Sequence, residues 1–160
     1  MELRKLLDGM NARLKTDVFQ LNEDGSCRIS VDGELVVEVL DFPDDGRVLF
    51  CANLGQEPLE GKDEFYRLLM RAMFMFKDSL GCTFSLDPDS NCIYLQRADY
   101  LDLLDEETFY ALFEDFFNLA SNWFRLLNDF RPGVEMTAAA VREELNEQRF
   151  GTLNGSFIQV

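Results

Sequence analysis

The chain has 160 residues and a formal charge of −15, from 15 Lys and Arg against 30 Asp and Glu. That balance argues against a nucleic-acid binder, which needs clustered cations on phosphates, and against docking on an anionic membrane. With 47% hydrophobic residues and 15 Phe, the composition excludes a disordered chain, and the length suffices for a core without disulfide or metal staples.

Glu2–Thr16 sets Leu3, Leu6, Leu7, Met10 and Leu14 at helical spacing with one polar face, and Asn22-Glu23-Asp24-Gly25 ends the segment. Three strands then read as an antiparallel meander: Cys27–Val31, a tight turn at Asp32-Gly33, Glu34–Asp41, a turn at Phe42–Gly46, and Arg47–Asn53. Leu35, Val37 and Val39 share one face of the second strand, while Val36 and Leu40 share the other with Glu38. In the third, Val48, Phe50 and Ala52 oppose Leu49 and Cys51. A sheet with one wet face alternates apolar and polar; this one is apolar on both, so one face meets helices and the other meets something else.

Leu54–Gly61 reads as a loop and Lys62–Leu80 as a helix closed by Gly81. Phe65, Leu68, Leu69, Ala72 and Phe76 form its core stripe. Met70, Met73, Phe74 and Met75 widen it beyond one stripe, as in a helix buried on a second side. Thr83–Leu86 and Cys92–Gln96 flank a turn at Asp87–Asn91. Asp87, Asp89 and Asn91 imitate the start of a calcium loop, but Cys92 and Ala98 stand where that loop needs Gly and Glu. Arg97–Leu104 is a connector. The last helix opens on Asp105-Glu106-Glu107-Thr108 and carries a stripe from Phe109 through Phe116 and Trp123 to Phe130, stopped by Arg131-Pro132-Gly133. The reading is a domain over residues 1–131 and a C-terminal tail over 132–160, with a short helix at Thr137–Arg149 and a mobile end from Gly151 to Val160. The order α-β-β-β-α-β-β-α predicts an α+β fold, a twisted antiparallel sheet with helices packed mainly on one face.

The chain has 0 His, which removes the commonest general base and metal ligand. No GxSxG elbow and no Gly-rich phosphate loop occurs, and Cys27, Cys51, Cys82 and Cys92 form no CxxC pair. With 30 acidic residues, any chosen carboxylate pair is uninformative. No catalytic residues, metal ligands or cofactor are expected; the cysteines read as buried thiols in a reducing cytosol, and no signal peptide or membrane span is visible. The pattern points to a binding protein.

Three stretches resemble the class I chaperones of type III secretion, the Tir-chaperone (CesT) family. They are the opening helix Leu3–Leu14 with the Cys27–Asp32 strand, the Thr83–Ser90 stretch running into Ile93–Gln96, and the final helix from Leu104 to Leu127. The resemblance covers about residues 1–130. It implies an ATP-independent homodimer in the bacterial cytosol that holds the N-terminal segment of one or more secreted effectors in extended form and passes it to the export machinery, with the secretion ATPase or sorting platform as a further partner. For the dimer interface the expected residues are Leu69, Met70, Met73 and Phe74. For effector binding they are Leu3, Leu7 and Leu14 on the first helix and Val36, Leu40 and Leu49 on the outer sheet face. The alternative is an acidic regulator of the same fold, an anti-activator or nucleic-acid mimic, that binds a folded partner; an enzyme working through carboxylates is a further competitor.

Overall fold

The computed structural model describes residues 2–139, 141, 143 and 157–160. Its first helix, α1, spans Leu3–Leu14 and spends its apolar stripe inward: Leu3, Leu6, Leu7 and Met10 are buried. Three strands follow, β1 (Ser26–Val31), β2 (Leu35–Phe42) and β3 (Arg47–Gln56). Asp32 and Gly33 between β1 and β2 both take positive φ, 52° and 75°. This is the backbone that a tight hairpin of right-handed twist demands and that Asp-Gly supplies at low cost. Glu34 N–H closes the turn on Val31 O at 3.1 Å.

The third strand runs past its expected end at Asn53. The β3 register shifts between Asn53 and Gln56 against its partner. Gly55 takes φ 100° there, and its N–H donates to Asn53 Oδ1 at 2.9 Å. A bulge of this kind lets a strand continue through a residue that reads locally as a breaker.

Helix α2 spans Lys62–Met73, then β4 (Thr83–Leu86), β5 (Cys92–Tyr100) and helix α3 (Glu106–Asn128). β5 extends through the first half of the expected connector, to Tyr100. Asp105 caps α3 by accepting Thr108 N–H at 2.8 Å. The sheet has the order β4-β5-β3-β2-β1-β6, where β6 is Phe157–Gln159, and every neighbouring pair is antiparallel. The α+β architecture and the helix and strand order of the first 130 residues are therefore as the sequence predicts.

One face of the sheet builds the core. Val37, Val39, Val48, Phe50, Ala52 and Leu95 are completely buried. The α3 rings of Phe109, Phe113 and Phe116 surround Phe50, with centroids 5.5, 6.4 and 5.7 Å away. Each such ring contributes roughly 1.5–3 kcal/mol by leaving water. Helix α1 and the segment after it pack on α3, through Phe19 against Phe113 at 5.4 Å and the Arg13 guanidinium over the Tyr110 ring at 3.7 Å.

Two expectations need correction. Helix α2 ends at Met73, not Leu80. Phe74–Phe76 form a 3-10 turn in which Met75 and Phe76 take φ of 57° and 53°. The chain is turned there by contacts distant in sequence: Trp123 Nε1–H donates to Asp78 O at 2.9 Å, and Phe84 N–H donates to Met73 Sδ at 3.4 Å. The chain end expected to be mobile contains β6, which pairs with β1 through Ile29↔Gln159, Ser30↔Ile158 and Val31↔Phe157. The short helix expected at Thr137–Arg149 lies largely outside the described residues, although Ala139, Val141 and Glu143 are helical and Ala138 and Val141 are buried in the core.

Candidate partner-binding surfaces

The sheet face away from α3 is only partly covered. Val36, Leu40 and Leu49 are half-buried there, against complete burial of their neighbours Val37, Val39 and Phe50. The register orders this outer face into rows. Leu40 stands opposite Leu49, and Leu49 opposite Ala98, which makes an apolar strip across β2, β3 and β5. Val36 stands opposite Ser30 and Asn53, about 13 Å from Leu40 at ordinary strand rise. Between them runs a polar row, Arg28–Glu38–Cys51–Gln96, in which Arg28 Nε meets Glu38 Oε1 at 3.1 Å. The outer face therefore offers two apolar spots separated by an ion pair. The sequence marked three of these positions by strand parity; Ala98 required the β3–β5 register.

The first helix contributes less than expected. Leu3 and Leu7 are each 1% exposed and sit in the core, and only Leu14 of the three is half-buried. A peptide cannot reach Leu3 or Leu7 without opening the fold. Their stripe is consumed by packing within the monomer, so they are removed from the surface candidates.

The second surface lies where α2 ends. Met70, Phe74, Met75 and Phe76 are 65, 69, 74 and 53% exposed. Leu86, on the edge strand β4, is 41% exposed. Of the expected interface residues, Met70 and Phe74 are at the surface, Met73 is half-buried with its sulfur engaged by Phe84, and Leu69 is a core residue at 3%. The sequence interface set omitted Met75, Phe76 and Leu86. The unbroken apolar run Phe74-Met75-Phe76 carried a signal for the first two, but a helix extended to Leu80 assigned Phe76 to the core.

Chemistry at these surfaces is limited to contact. Burial pushes the Cys27 thiol up to about 11 and the Cys82 thiol up to about 12, so neither is a nucleophile at neutral pH. Among the described residues no group of His, Cys, Asp and Glu could hold a metal ion, and no helix is long and apolar enough to cross a membrane. The Asp87–Asn91 segment spends its oxygens on the turn: Asp87 Oδ1 accepts Asp89 N–H at 3.0 Å and Asp87 Oδ2 accepts the Ser90 hydroxyl at 2.6 Å.

The sequence profile of the Tir chaperone protein (CesT) family matches residues 5–124. A search of curated proteins returns no significant match. Among solved structures, the fold resembles a chain of the ExsC–ExsE complex, at 22% identity and a TM-score of 0.67, over 84% of this chain and 100% of that one. It resembles a chain of the HopA1–SchA chaperone–effector complex at 14% identity and a TM-score of 0.63, over 79% of this chain and 92% of that one. A third likeness is to the Yersinia pestis type III secretion chaperone SycH in complex with a fragment of YscM2, at 17% identity and a TM-score of 0.56, over 75% of this chain and 98% of that one.

Proposed function

Because the chain belongs to the Tir chaperone protein (CesT) family, we propose that it binds the N-terminal segment of a secreted effector on its outer sheet face, as a cytoplasmic homodimer that uses no ATP. The observation that carries the reading is the partly covered apolar strip Leu40–Leu49–Ala98, with Val36 as a second apolar spot across the Arg28–Glu38 row. The helices cover the other face, and a solvent-exposed strip of this kind on a folded domain marks a surface for a partner. An extended segment suits it, since the spots lie about 13 Å apart along one strand, a span of four extended residues.

The dimer reading is supported by the Met70, Phe74, Met75 and Phe76 cluster beside the β4 edge, which adds apolar surface that the monomer leaves in water. The charge of −15 keeps such a protein soluble and suits transfer of cargo to a basic docking site on the secretion ATPase or sorting platform.

Co-expression with candidate effectors, followed by limited proteolysis of the complex, tests the reading. The expected product is a dimer of this chain holding an effector N-terminal fragment without the rest of that effector. Recovery of only an intact, folded partner would refute it and favour an acidic regulator of the same fold.

A further inference from the structure

The sheet has two edges, and they are managed differently. At one, β4 packs against the end of α2, where Phe84 N–H meets Met73 Sδ, and leaves Leu86 exposed. At the other, β6 of the same chain covers β1. Ile29, Ser30 and Val31 pair with Gln159, Ile158 and Phe157, and Val160 N–H donates to Arg28 O at 3.2 Å. This strand lies beyond residues 5–124, so it is no part of what the family match covers.

The pairing is slight for a permanent part of the sheet. β6 has three residues against six in β1. Among the described residues it is hydrogen-bonded on one side only, and Ile158 and Val160 remain 56 and 58% exposed. Side chains left half in water contribute little to holding a strand. Yet its register is specific. Ile158 opposes Ser30, and Ser30 opposes Val36, so β6 extends the outer face by one apolar residue in the row of Val36.

We propose that β6 is a resident placeholder on a strand-docking edge: an extended, apolar partner segment pairs antiparallel with Arg28–Val31 in its place, and Phe157–Val160 must leave for that segment to bind. The edge groups of β1 are a template that pairs with an extended strand whichever chain supplies it. Main-chain pairing gives affinity, and the Ile158 position next to Ser30 gives selectivity for an aliphatic residue in the row of Val36. A tethered strand competes at an effective concentration of roughly millimolar, so a free strand of equal quality loses to it. The displacing partner has to add contacts elsewhere, and the adjoining outer face supplies them. The identity of that partner as an effector segment rests on the reading above; the occupied edge does not.

The test uses the full chain with Ile158→Pro. N–H directions alternate along a strand, so Ile158, two residues before Val160, also directs its N–H at β1, and Pro removes that donor. The probe is a labelled peptide with the sequence of residues 152–160, added in trans. It is expected to bind the variant at least about 10-fold more tightly than the native chain, because apparent affinity scales with the fraction of chains whose edge is free. A second chain, Ser30→Cys with Ile158→Cys, links opposed positions about 5 Å apart. Oxidised, it should lose probe binding and regain it on reduction. Equal probe binding by the native chain and Ile158→Pro, or binding unaffected by the disulfide, overturns the proposal. An effector segment that binds without displacing the probe from Ile158→Pro overturns it too and leaves the chaperone reading standing. If the probe discriminates between the chains but no effector segment binds any of them, the placeholder stands and the chaperone reading fails.

Discussion

Replacing Phe74 by Asp should dissolve the dimer and leave the monomer's fold intact. Phe74 is 69% exposed in the single chain. A phenylalanine carries roughly 200 Å² of surface, so about 140 Å² stands in water. At about 25 cal/mol per Å², covering that ring contributes about 3.5 kcal/mol, an upper figure because association also orders side chains. A two-fold interface uses the residue twice, so the substitution removes up to about 7 kcal/mol, or roughly five orders of magnitude in dimer affinity. The introduced carboxylate adds a desolvation cost in the same direction. Sedimentation velocity across nanomolar to micromolar concentrations measures the change, and the melting temperature of the monomer checks the fold. Leu69→Ala is the contrasting variant. At 3% exposure its side chain belongs to the core, so it should lose about 2–5 kcal/mol of monomer stability and affect dimerisation only by unfolding. A native chain that sediments as a folded monomer at micromolar concentration would refute the reasoning, as would a Phe74→Asp dimer of native affinity.

Trp123 is fully buried, edge-on to Phe84 at 4.8 Å and bonded to Asp78 O. Trp123→Ala should therefore cost about 3–5 kcal/mol in urea unfolding, and a loss below 1 kcal/mol would contradict its structural role. Leu7→Asp should unfold the chain, whereas Val36→Asp and Leu40→Asp should fold with nearly native melting temperatures and lose effector binding in pull-down; unfolding of all three would make the outer face part of the core. Hydrogen bonds hold the carboxyls of Asp24, Asp87 and Asp105 below the ordinary aspartate value of 3.8. Their ionised forms are the ones the fold favours, so their contribution is complete above 3.8 and is lost as pH falls through the lower folded values. Hydrogen bonds from Lys62 and Tyr66 lower Glu57 as well, and these four carboxyls all favour the fold above their ordinary values, whereas burial raises Asp41 and acts in the opposite sense. The urea midpoint should fall below about pH 4, and a rise there would show that Asp41 dominates and refute the assignment.

Local pattern alone determined the meander and the long final helix. A two-residue hairpin turn demands positive φ that Asp32-Gly33 supplies at low cost, and the stripe from Phe109 to Phe130 is apolar at one spacing throughout. Strand parity likewise separated Val36, Leu40 and Leu49 from Val37, Val39 and Phe50, because successive side chains point to opposite faces in any strand. Parity does not say which face a helix will cover. That choice came from α3 seating Phe109, Phe113 and Phe116 around Phe50, a contact between residues some sixty positions apart. The end of α2 was hidden for the same reason: Lys62–Leu80 holds no Pro or Gly, and the turn after Met73 is held by Trp123 and Phe84. Leu3 and Leu7 have the spacing of a surface stripe and of a core stripe alike; packing in the first helix's tertiary setting buried them. The final strand is the extreme case. Phe157–Gln159 is too short to show a period, and only the unpaired edge of β1 makes it a strand.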